Sequence, residues 1–170
     1  MKKLILFLFL GLIFAPFLTM AQDEVKRPKN IGVGDYDSFK NSSFDIKDES
    51  ASLKDNVGQI DKEVKSYSGI MNTIGIEKLK ANLKALKDSK DAVKKLTAKI
   101  SELDDQGKAL LEGVKNVQPR TKSPAAGKNT KASVKGLTIA KDDLKGVSSI
   151  LEEDIKLISD ELKARGEPIE

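Results

Sequence analysis

From Ile46 to Leu162 the apolar residues recur mostly at steps of three and four, and this period is broken by two clusters of Gly, Asn, Pro and small polar residues. A three-to-four step marks one stripe along a helix, so the pattern predicts three amphipathic helices and no strand. The first stripe, Ile46, Ser50, Leu53, Val57, Ile60, Val64, Tyr67, Met71 and Ile74, predicts a helix over about 45–70. The second is the longest. It runs through Ile76, Leu79, Leu83 and Leu86 to Ile100, Leu103, Leu110, Val114 and Val117 and predicts a helix over 76–117. The third, Leu137, Ala140, Leu144, Val147, Leu151, Ile155, Ile158 and Leu162, predicts a helix over 131–165.

The breaks between the stripes determine how the helices connect. Gly69, Asn72, Thr73 and Gly75 make a short turn between the first two helices. A short connection implies antiparallel neighbours. The second break, 118–130, holds two prolines and reads as a basic loop. The expected fold is an all-α, elongated, antiparallel three-helix bundle running up-down-up over 44–166, whose second and third helices form a coiled-coil hairpin. Two irregularities stand on the second stripe. Val93 to Leu96 advances three residues where four was due, a local overwinding. Gly107 falls on the stripe itself, which fits either simple tolerance or a close helix crossing.

Ahead of the bundle, Met1-Lys2-Lys3, an apolar run from Leu4 to Phe17 and Thr19-Met20-Ala21 have the layout of a secretory signal peptide, 1–21, cleaved after Ala21. The run is shorter than the ~20 residues a membrane span needs. Residues 22–43 read as a polar flexible arm, with Ile31, Val33, Tyr36 and Phe39 as the residues able to dock on the bundle instead. Ser42 and Asp45 resemble a capping box that would open the first helix.

Charge sharpens the orientation of the helices. Residues 76–99 carry eight Lys against Glu77, Asp88 and Asp91, whereas 100–117 carry Lys108 and Lys115 against Glu102, Asp104, Asp105 and Glu112. The third helix repeats this order, basic over 131–147 and acidic over 148–165. Both helices set charge against their own dipoles, so the pattern makes sense between antiparallel neighbours. The overall formal charge of +4 includes Lys2 and Lys3 and falls to +2 without the leader, too small a bias to imply nucleic acid.

Candidate chemistry is sparse. The chain has no Cys and no His, which removes thiolate nucleophiles, zinc–sulfur sites and the usual general base. The acids Asp104-Asp105, Asp142-Asp143 and Glu152-Glu153-Asp154 lack the spacing of a calcium loop and read as solvated helix faces. No catalytic, cofactor or metal residue is expected. The remaining candidate is a contact site for an anionic partner in the basic loop: Arg120, Lys122, Lys128 and Lys131.

With its leader, Lys-rich helical composition and length, the chain resembles the Skp/OmpH class of periplasmic holdase chaperones in general layout. That class builds a small β-rich trimerisation body from its terminal segments, whereas Lys29-Asn30-Ile31-Gly32-Val33 makes a poor strand here. The resemblance therefore carries no residue roles across. The expected function is that of an exported, non-enzymatic helical bundle of the bacterial cell envelope, periplasmic or extracellular, acting by protein–protein interaction and able to form a homo-oligomer. A holdase and a membrane-surface-associated helical protein are the alternatives.

Overall fold

The computed structural model describes residues 25–169. The leader and the cleavage site expected at 1–21 lie outside those residues. Three long helices pack together: α1 (Gly34–Ser66), α2 (Ile76–Gly113) and α3 (Ser123–Ala164). Single 3₁₀ turns at Met71–Thr73, Val114–Asn116 and Arg120–Lys122 form the corners, and no strand occurs among the described residues.

Pairs along the helices give their directions. Near one end Lys78 Nζ of α2 meets Glu63 of α1 at 2.6 Å, and near the other the Tyr36 hydroxyl donates to the Leu110 carbonyl at 2.9 Å. α2 therefore runs back along α1. Lys80 meets Glu167 just past the end of α3, and Lys141 meets Asp104, so α3 in turn runs back along α2. Both α2–α3 pairs join the basic start of one helix to the acidic end of the other, the orientation the charge order implied. Exposed pairs contribute about 0–1 kcal/mol each. The core of Phe39, Val57, Val64, Leu79, Leu86, Leu96, Ile100, Leu137, Leu151, Ile158 and Leu162 holds the helices together.

Helix boundaries depart from expectation in a consistent direction. α1 begins at Gly34 and not near 45, so the second half of the 22–43 arm is helix. The Ser42/Asp45 capping box does not form. Residue 43 lies inside the helix, and its hydroxyl donates to the Phe39 carbonyl at 2.7 Å. α3 begins at Ser123 and not at Lys131, which converts most of the 118–130 loop into helix. Two of the small polar residues that suggested a loop, Asn129 and Thr130, are buried on its inner face, as is Ser133 one turn on. Thr130 and Ser133 return their hydroxyls to the carbonyls four residues back, at 2.9 Å each. That bond satisfies a small polar side chain without water, and so lets it occupy a buried helical position. At their ends α1 and α2 are shorter than expected, stopping at Ser66 and Gly113.

Residues 25–33 are extended and lie against the bundle, not free of it. Ile31 and Val33 pack on the cluster of Tyr36, Val117 and Ala126. The Asn129 amide donates to the Lys29 carbonyl at 2.9 Å, and buried Lys40 bonds Asn30 Oδ1. Arg27 pairs with Asp45 at 2.6 Å and lies over the Phe44 ring at 5.8 Å. Gly32, at φ +72°, turns the chain so that the amides of Ile31, Gly32 and Val33 converge on the Asp37 carboxylate at 2.9, 2.7 and 3.2 Å. Burial alone would raise this carboxyl; the three amides and Lys40 outweigh it and hold the group below the ordinary carboxylate value. Asp37→Ala is expected to cost about 1–2 kcal/mol, as loss of a helix cap does. Urea melts followed by circular dichroism check this, and an unchanged midpoint would refute it.

Gly107 marks a close crossing. A Cβ there would stand 2.8 Å from Phe39 Cζ and 3.1 Å from Val134 Cγ2, so α1, α2 and α3 converge where this residue has no side chain.

Candidate interaction site: the basic groove at the α2–α3 corner

The four basic residues singled out in the sequence do not act as one loop. Arg120 lies exposed on the 3₁₀ turn before α3. Lys122 is half-buried, and its Nζ donates to the Gly32 carbonyl at 3.2 Å, so its charge is used to hold the N-terminal segment. Lys128 and Lys131 are exposed on the first turns of α3, held there because Ala126, Asn129 and Thr130 face inward.

The structure brings Lys128 and Lys131 together with a third cation that the sequence reading did not include, Lys115 on the 114–116 turn. The three rim a groove of about 690 Å³, whose floor is Leu111, Val114 and Pro124. Gly127 opens the groove, since a Cβ there would reach Val114 Cγ1 at 3.5 Å. None of Lys115, Lys128 and Lys131 takes part in an ion pair among the described residues. The first turn of α3 carries no acid, so the positive end of its helix dipole adds to the field of the lysines. An apolar floor under three unneutralised ammonium groups suits an anionic group carried on an apolar body. The signal for Lys115 was available in sequence only as a base just before the loop; the turn between α2 and α3 brings it to the same groove as Lys131.

The acid clusters are mostly accounted for by cations of this chain. Asp104 pairs with Lys141, Asp105 with Lys108, and Asp143 with Lys54 at 2.7 Å. Among the described residues no group of three potential ligands could hold a metal. Asp154 corrects the reading of these acids as a solvated face. It is only 2% exposed, and Oδ2 has no hydrogen-bond partner. Burial pushes its carboxyl up to about 6, with Asp61 and Glu153 adding to the rise and Lys65 opposing it. Its place three residues after Leu151 and four before Ile158 puts it on the apolar stripe, which is the signal that could have found it.

No protein-family model matches the chain, and no curated protein and no solved structure matches it either.

Proposed function

We propose that this protein is an exported, non-enzymatic helical bundle of the bacterial cell envelope that works by binding another protein, taking an acidic, partly apolar segment into the groove at the α2–α3 corner. The observation that carries this reading is the groove itself, with Leu111, Val114 and Pro124 below and, around them, Lys115, Lys128 and Lys131, which form no ion pair among the described residues. The leader layout of residues 1–21 supports export, and the lack of His and Cys supports a binding role over a catalytic one. The bundle is elongated in this reading: at ~1.5 Å per residue the 42 residues of α3 reach about 63 Å, and α2 with α3 forms a coiled-coil-like hairpin.

Fluorescence anisotropy with a labelled acidic amphipathic peptide tests the groove. Binding is expected to weaken with salt and to fall about tenfold or more in Lys128→Glu/Lys131→Glu, since reversing charge at an interface replaces attraction with repulsion. Equal binding by the variant would reject the groove. Binding to anionic vesicles with none to the peptide would instead favour a membrane-surface role.

A further inference from the structure

The outer face of α3 carries charges that form no ion pair with the rest of the bundle among the described residues. Lys128, Lys131 and Lys135 are exposed along its first third, and Glu153 and Asp160 along its last third. None of these five takes part in an ion pair among the described residues. They also oppose the dipole of their own helix, with bases near the N-terminus and acids near the C-terminus, an arrangement that is locally unfavourable. Neighbours inside the bundle engage other charges of this helix, α2 at Lys141 and α1 at Asp143, and of these five only Glu153 feels a cation of another helix, Lys65 of α1, without pairing with it.

An apolar feature accompanies each charge group. Lys128 and Lys131 border the groove floored by Leu111, Val114 and Pro124. Between the acids stands Leu157, 47% exposed, one of the few large apolar side chains so open to solvent. Midway between the two groups lies exposed Gly146, where a Cβ would meet nothing within 4 Å. A glycine inside an exposed helix costs about 1 kcal/mol relative to alanine, and no neighbour among the described residues requires it here.

We infer that two copies of this chain pair through the outer faces of their α3 helices, antiparallel about a two-fold axis. A single register satisfies all of these features. Lys128 then faces Asp160 of the second copy, Lys135 faces Glu153 of the second copy, and the axis passes between Asp142 and Gly146. Leu157 of each copy lands beside Lys131 of the other, at the mouth of the groove. The arrangement is self-complementary, so both ends are satisfied at once and the assembly closes as a dimer. Gly146 lies next to the axis, where a missing side chain lets the two backbones approach. The inference rests on the groove being a binding surface and names a second copy as its occupant.

Sedimentation equilibrium of the wild type and two charge-reversed variants tests this. At low salt the wild type is expected at about twice the monomer mass, and high salt shifts it toward monomer. Lys128→Glu/Lys131→Glu and Glu153→Lys/Asp160→Lys are each expected to weaken self-association about tenfold or more, because both ends of a two-fold contact become repulsive. An equimolar mixture of the two variants should recover the dimer, since each end then pairs opposite charges. A monomeric wild type at every concentration, reversals without effect, a mixture that stays monomeric, or a mass that grows past the dimer would each overturn it. Circular dichroism confirms that the variants fold, and Leu157→Ser, a surface change, serves as an independent disruptor. The two readings can fail separately. A monomeric wild type that binds the acidic peptide through Lys128 and Lys131 removes the dimer and keeps the groove. A dimer whose monomeric Glu153→Lys/Asp160→Lys variant ignores the peptide removes the outside partner and keeps the dimer.

Discussion

Alanine at Phe39 is expected to lower the unfolding free energy by about 3–5 kcal/mol, the range for deleting a buried aromatic ring from a core. Phe39 is fully buried, and its ring occupies the space left by Gly107 where α1 crosses α2. That placement gives a sharper expectation for Gly107 itself. Glycine to alanine inside a helix ordinarily stabilises by about 1 kcal/mol. Here the new methyl would stand 2.8 Å from Phe39 Cζ and 3.1 Å from Val134 Cγ2, distances at which the ring and the valine must shift. Overpacking of this kind costs about 1–3 kcal/mol, so Gly107→Ala should be destabilising on balance. In the Phe39→Ala background the obstruction disappears, and the same substitution should become neutral or stabilising. A double-mutant cycle by urea denaturation reads this change of sign. Additive effects would mean that the ring does not lean on Gly107.

Asparagine at Asp154 is expected to act in the opposite direction and stabilise the protein near neutral pH by about 1–3 kcal/mol. An ionised carboxylate with an unpartnered oxygen, buried against Asp61 of α1 and beside Glu153 of its own helix, is costly; Lys65 of α1 is bonded to Asp61 and offsets the cost only in part. The neutral amide removes the charge and keeps the shape. The pH dependence follows from the direction of the shift. The carboxyl moves from an ordinary 3.8 to about 6 in the folded protein, so the folded state holds the proton more tightly than the unfolded one. Its contribution to stability is complete below the unfolded value and is lost as pH rises through about 6. Glu63, held below its ordinary value chiefly by Lys78, works the other way, as does Asp37. Their contributions are present above the unfolded values and are lost as pH falls through the lower folded ones. The bundle should therefore be most stable in mild acid, between these windows. The thermal midpoint of the wild type should rise from about pH 7 to about pH 5, and that of Asp154→Asn should stay nearly flat. A wild-type midpoint that falls over this range, or an Asn variant less stable near neutral pH, would contradict the account.

Some of the candidate site was legible before folding and some was not. Lys128 and Lys131 stood out because no acid lies near them in the chain. Lys122 stood out for the same reason, yet its ammonium is taken up by the Gly32 carbonyl, ninety residues away, and no local pattern could reveal that. Lys115 enters the groove only because the corner folds back on itself. Asp154 was hidden by its neighbours Glu152 and Glu153, which are exposed as an acid run should be, while the 3.6-residue turn carries Asp154 inward. Asn129 and Thr130 looked like loop because their polarity speaks against burial, and only the Thr130 hydroxyl bond to the preceding turn and the Asn129 amide on the Lys29 carbonyl remove that objection.

By itself the sequence determined the helical class, the number of helices and their order of direction, because these follow from a repeating apolar stripe, short turns and the sign of charge along each helix. Tertiary structure alone decided where α1 and α3 begin, that residues 25–33 pack on the bundle, that Phe39 sits against Gly107, and which lysines share a groove. These depend on contacts between residues far apart in the chain. A side chain's free energy at such a contact is set by what it meets there, and the local sequence carries no record of that.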